Sequence, residues 1–326
     1  MNDTYCVAFW KHLNIRSNNK VYACCRYKTA IQEFDGDLNS QLYSDNYQKL
    51  RLDSTNGVHN PNCSKCYYEE SLGIESIRQR YNKAITNTDV GIEYLEIAFD
   101  NICDLACDGC NSTFSSSWGI KSEPNLAKKL HIQSTTKITK VPNTIKKILF
   151  LGGEPLQTNR HRQFLKLIEN PINVEITYNT NGNNKLSKLD IELFQKFKSV
   201  KFIVSIDGYG KLNETVRQNS VWDNIINFID VLKQHNFEFM IHTTLHKNNY
   251  TGLPELSKFI ANYNVPWRLN ILTYPNNLDI VNLSIEEKSV FSKILKECDL
   301  HNLTDHWMDK NAILRHLNYI NTWCAI

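Results

Sequence analysis

From about residue 93 onward the chain alternates between two textures. Short apolar runs at 94–99, 147–151, 174–178, 202–206, 237–243 and 267–272 have the length and the β-branched or aromatic content of buried strands. At 162–169, 189–197 and 222–234 apolar residues recur every three to four positions, which predicts amphipathic helices. Six strands alternating with helices imply parallel βα units, and ligands of such sheets gather beyond the carboxyl ends of the strands. The first 85 or so residues are polar and irregular by comparison. Within them, alternating patches at 12–15 and 20–23 flank Asn18-Asn19 and predict a hairpin. Residues 67–83 read as one charged helix, and after about 284 the pattern is helical, at 284–298 and 310–318.

A chain of 326 residues, 41% hydrophobic and 22% charged, has ample material for a core and is not disordered by composition. No window approaches the roughly 18 unbroken apolar residues of a membrane span. Residues 1–6 lack the basic-then-apolar pattern of a signal peptide, so the expected location is cytoplasmic. A net charge of +3 is too balanced to point to a nucleic acid. Ten cysteines therefore stand out, because clustered thiols in a reducing compartment read as metal ligands before disulfides. Five lie early (Cys6, Cys24, Cys25, Cys63, Cys66) and three form the run Cys103-Asp-Leu-Ala-Cys107-Asp-Gly-Cys110. Cys298 reads as a buried helix residue and Cys324 stands alone.

The triplet follows the first core strand. Three thiolates at this spacing can take three corners of a [4Fe–4S] cube and leave the fourth iron open to another ligand. Gly109 keeps a Cβ out of the way of the wrapping loop. A structural zinc site wants two ligand pairs, whereas this run supplies three ligands and stops.

Cys-x3-Cys-x2-Cys behind the first strand of a βα series resembles the signature of the radical SAM superfamily. Leu151-Gly152-Gly153-Glu154-Pro155, after the second strand, is similar to that family's GGE motif, which contacts the methionyl amine of S-adenosyl-L-methionine (SAM). Asn179-Thr180-Asn181-Gly182 after the third strand resembles its TNG-type turn. Ser205-Ile206-Asp207-Gly208 after the fourth resembles its SIDG motif, with Arg217 nine residues on. The resemblance covers about residues 91–275 and implies a partial (βα)6 TIM-like barrel. It assigns a SAM-binding cluster to Cys103, Cys107 and Cys110, and SAM contacts to Gly152, Gly153, Glu154, Asn181, Ser205, Asp207 and Arg217. Reductive cleavage of SAM would give a 5′-deoxyadenosyl radical that abstracts hydrogen from a substrate, fed by an electron donor such as flavodoxin or ferredoxin.

The early cysteines carry a second resemblance. The run Cys6, Trp10, His12, Cys24-Cys25, Cys63-x2-Cys66-Tyr67, Glu70, Gly73, Ser76, Arg78 is similar to N-terminal twitch radical SAM proteins, relatives of the SPASM group. It departs from them at Phe9, where proline is common, and at Asn19, where glycine is usual. This implies a second, auxiliary [4Fe–4S] cluster on Cys6, Cys24, Cys63 and Cys66. Cys25 is the alternative to Cys24, since neighbours in an extended segment point opposite ways. A zinc knuckle on the same thiolates, or a [2Fe–2S] cluster, stays open. The expected layout is an auxiliary domain over 1–88, a core over 89–283 and a helical extension over 284–326. The resemblance favours oxidative modification of a peptide or protein side chain over that of a small molecule, sugar or nucleotide. A catalytically silent metal-binding scaffold is the non-enzyme alternative, which the complete triplet and GGE argue against. No catalytic acid or base stands out. His242, Thr244 and Tyr274 read as ordinary lining residues, and Trp118 as core packing.

Overall fold

The computed structural model describes residues 3–71, 73–122, 132–304 and 310–317; Cys324 and the end of the expected 310–318 helix lie outside them. In chain order the strands are β1 (His12–Ile15), β2 (Lys20–Tyr22), β3 (Gln32–Glu33), β4 (Tyr94–Ala98), β5 (Ala106–Cys107) and β6 (Lys147–Leu151). They continue as β7 (Glu175–Thr180), β8 (Ser199–Ser205), β9 (Arg217–Gln218), β10 (Glu238–Leu245) and β11 (Trp267–Ile271). The six core strands expected from the apolar runs are β4, β6, β7, β8, β10 and β11. The chain is a mixed α/β protein with parallel strand pairing, and it divides into two compact units. The first comprises Met1–Cys103, Asn125–Asn179 and Ser187–Val200; the second comprises Asp104–Pro124, Thr180–Leu186 and Lys201–Ile326.

In the first unit β4, β6 and β7 run parallel, and β1 adds to the free edge of β4 in parallel register, Asn14 opposite Glu96. The hairpin β1–β2 and then β3 continue antiparallel. Leu13, Ile15, Leu95, Ile97, Ile148, Phe150, Ile176 and Tyr178 are buried, and the Phe150 and Tyr178 rings stack at 4.8 Å. Phe164, on the helix Arg160–Leu165, closes the layer against Phe99 and Phe150. Asn19 turns the hairpin at φ +63, a left-handed conformation that asparagine tolerates better than most residues. Its amide donates to the Phe34 carbonyl at 2.9 Å. The helix expected over 67–83 is in fact two, Ser64–Ser71 and Ile77–Ala84. Gly73 at φ +73 breaks the run, and Ser76 with Gln79 forms a capping box that starts the second helix.

In the second unit β8, β10 and β11 are parallel, and β5 pairs antiparallel with β9. The helices Trp222–Gln234 and Leu253–Tyr263 bury Ile225, Phe228, Ile229 and Leu232, and Leu253, Leu256 and Ile260. The helix Ile285–Glu297 starts at a capping box of Ser284 and Glu287. Among the described residues no helix is long and apolar enough to cross a membrane.

Candidate functional site

The second and third cysteines of the triplet sit in a loop whose polar groups are taken one by one within the second unit. Ala106 and Cys107 pair with Gln218 and Arg217 through the β5–β9 ribbon. Ser115 Oγ donates to the Leu105 carbonyl at 2.6 Å, and the Trp118 indole N–H donates to the Cys107 carbonyl at 2.9 Å. Trp118 thus does more than pack: it caps the loop. The Asp108 N–H donates to the Val216 carbonyl at 2.8 Å, and Asn248 Nδ2 donates to the Asp108 carboxylate at 2.8 Å. A Cβ on Gly109 would lie 3.3 Å from Leu272, so the loop rests closely on that side chain. Burial pushes the Cys107 thiol up to about 11, against the pull of the Arg217 cation. Cys110 is raised by the same burial, opposed by the Asn111 backbone and by Arg217. A bound metal would reverse that burden, because metal coordination deprotonates thiols outright.

Of the other second-unit candidates, Arg217 and Asp207 lie near Cys107 and Asn181 contacts Asp104. Arg217 Nη1 pairs with Asp207 Oδ2 at 2.6 Å, while Asp207 Oδ1 accepts the Thr244 N–H at 2.7 Å. Ser205 stands in register with His242, whose Nε2 is 2.9 Å from the Asn270 amide. Asn181, buried at the end of β7, donates through Nδ2 to Asp104 Oδ1 at 2.8 Å. Tyr274 is largely exposed.

Cys103 belongs to the first unit, as do Gly152, Gly153 and Glu154. The Gly153 N–H donates to the Asp100 carbonyl at 3.1 Å, and the Glu154 N–H to the Ile102 carbonyl at 2.8 Å. A Cβ on Gly152, at φ +132, would come within 2.6 Å of the Asp100 oxygen; one on Gly153 would come within 2.3 Å of the Ile102 oxygen. Both glycines are therefore required by the backbone that leads into Cys103, independently of any ligand. Glu154 is buried and its Oε1 accepts the Leu156 N–H at 3.1 Å.

The early cysteines meet around one pocket of the first unit. Cys6, Cys24, Cys63 and Cys66 line it together with Arg26 and Arg78. Cys25 is not part of the lining; burial raises its thiol, and the nearby Glu96 carboxylate raises it further. Cys6 and Cys63 are each pushed up to about 12, chiefly by burial and further by neighbouring thiols, while Arg78 pulls both down. Arg78 is itself held by Glu70 and by the Tyr5 carbonyl, 2.7 Å from Nη1, and Arg26 pairs with Glu69. Among the described residues no three His, Cys, Asp or Glu side chains are grouped so as to hold a single metal ion. Sequence reasoning missed Glu96, which sits in the strand interior of β4 and accepts from Asn14 on β1. Its burial would raise it, but His12, 3.6 Å away, Asn14 and Cys25 hold its carboxyl below the usual range. A lone acid inside an apolar strand run was the available signal.

No family model and no curated protein matches the chain. Among solved structures it is similar to native anSMEcpe with bound AdoMet, at 14% identity and a TM-score of 0.43, over 63% of this chain and 60% of that one. Streptococcus suis SuiB bound to S-adenosylmethionine is similar at 17% identity and a TM-score of 0.43, over 81% and 56%. The same protein bound to the precursor peptide SuiA is similar at 15% identity and a TM-score of 0.43, over 78% and 65%. The chain thus spans less than two thirds of the length of each.

Proposed function

We propose that this protein is a radical SAM enzyme with an auxiliary iron–sulfur cluster in its N-terminal region, acting on a peptide or protein side chain. One observation carries the reading: the Cys-x3-Cys-x2-Cys run, GGE, TNG and SIDG-type motifs follow β4, β6, β7 and β8 in that order. The donor set fits the groups. Cys107 and Cys110 face the field of Arg217, and the four early cysteines line one pocket beside two arginines, a setting that favours an anionic thiolate-bound cluster. Cys103, Cys107 and Cys110 would hold the first cluster, with Glu154 and Arg217 as the charged partners for SAM and Asn181, Ser205 and Asp207 as polar ones. Cluster and SAM together supply one-electron cleavage of the sulfonium and hydrogen abstraction from the substrate. The chain's own part is to seat SAM, fix the thiolate loop and exclude water. A (βα)6 partial barrel over 89–283, flanked by 1–88 and 284–326, belongs to the same reading.

The test is anaerobic reconstitution followed by dithionite reduction with SAM. Formation of 5′-deoxyadenosine is expected, and its loss in the Cys103/Cys107/Cys110→Ala variant. Iron should number about eight per chain, from two four-iron cubes. Cys24→Ser should lower it to about four and Cys25→Ser should leave it unchanged. Undiminished deoxyadenosine from the triple variant would refute the first assignment; about four irons and one zinc in the parent protein would refute the second.

A further inference from the structure

Between the first two triplet cysteines lies Asp104, half-buried and held at three points within the second unit. Its Oδ1 accepts Asn181 Nδ2 at 2.8 Å and its Oδ2 accepts Asn183 Nδ2 at 2.7 Å. Its backbone carbonyl accepts Asn219 Nδ2 at 3.2 Å. The asparagines are themselves oriented. Asn181 Oδ1 accepts the Asn183 N–H at 2.8 Å, and Asn183 Oδ1 accepts the Val221 N–H at 2.9 Å. Asn219 takes φ +74, which places its amide at the ribbon where Arg217 and Gln218 pair with Cys107 and Ala106. A carboxylate that accepts two amide N–H groups from one turn is fixed in both position and plane, and hydrogen bonds to a charged acceptor are among the stronger ones.

We infer that Asn181 and Asn183 are positioning residues for the thiolate loop, acting through Asp104 to set the path that leads to Cys107. This rests on the radical SAM reading and changes the part played by Asn181. Its amide is engaged by the loop carboxylate, so its first duty is to the cluster's geometry and not to the SAM ribose or carboxylate. Asn183, which no motif singled out, acquires the same duty.

A charge exchange distinguishes the two roles without any substrate. Asn181→Asp sets two carboxylates against each other. Asp104→Asn leaves one acceptor for two donors. The double variant restores the contacts among the three side chains, since an amide at 104 donates to a carboxylate at 181 and still accepts from Asn183. Iron content and the electron paramagnetic resonance spectrum of the reduced protein are read before SAM is added. Asn181→Asp is expected to lose at least half of the iron of the first cluster, Asp104→Asn to broaden or shift its signal, and the double variant to return both to the parent values. The iron of the early cysteines reports that each variant is folded. Single variants with parent iron and spectrum but weakened SAM binding would overturn the inference, as would a double variant no better than Asn181→Asp. A parent protein without a triplet-bound cluster would instead refute the reading on which it rests.

Discussion

Gly153 sits against backbone that leaves no room for a side chain, and it shows what one hydrogen atom in place of a methyl can decide. An alanine there must push a Cβ to 2.3 Å from the Ile102 oxygen, which is backbone and cannot rotate away. Gly153→Ala should cost about 2–3 kcal/mol in a urea melt and lower iron at the triplet, whose leading segment it displaces. Gly73→Ala meets nothing within 4 Å and suffers only from φ +73, so its cost should be about 1 kcal/mol with iron unchanged. Equal losses in the two variants would show that conformation, not crowding, is what the glycines supply. The motif made both Gly152 and Gly153 visible in the sequence. The 100–102 backbone as their nearest neighbour was not, because a turn motif names the residues that must be small and not what fills the space.

At the scale of elements, the helices Arg160–Leu165 and Lys188–Phe194 are tied to β7 by a buried polar cluster. His161 Nδ1 lies 2.9 Å from the Tyr178 hydroxyl, and Arg162 Nε pairs with Asp190 at 2.5 Å. Burial lowers His161 to about 4, with Asp190 pulling the other way and Arg162 reinforcing the depression. Above the unfolded value of 6.5 the ring is neutral in both states and costs nothing. As pH falls from 6.5 toward about 4 the unfolded chain binds a proton that the fold refuses, so stability drops across that window. The melting temperature should fall in this range, and His161→Gln should flatten the part of the slope due to the ring. A variant with the parent slope would assign the loss to carboxylates alone. The periodicity located these helices to within a few residues. It merged 67–83 into one helix because charged residues on both sides of Gly73 share a helical rhythm, and only the Ser76–Gln79 cap marks the restart.

For the whole molecule, the instructive element is β1. All four of its residues are buried, and it continues the parallel sheet beside β4. The hairpin was legible from Asn18-Asn19, but its attachment was not. Parallel pairing between residue 12 and residue 94 leaves no trace in local pattern, and the burial of His12 and Asn14 is explained only by Glu96, in register with Asn14 and 3.6 Å from His12. A chain beginning at residue 89 would bare the edge of β4 with Leu95 and Ile97 beside it, and should aggregate where the full chain stays dispersed. Light scattering checks this; a monodisperse, iron-loaded truncation would show that residues 1–88 are dispensable to the sheet. The two hydrogen bonds from Gly153 and Glu154 to Asp100 and Ile102 carry one more implication, and it concerns time. A ribosome releases Cys103 long before it releases Glu154, so these two of the bonds that hold the stretch leading into that cysteine are missing until residue 154 has been made. If the triplet binds iron as proposed, the full set of contacts around its first cysteine is ready only in a chain that has already grown past its second core strand.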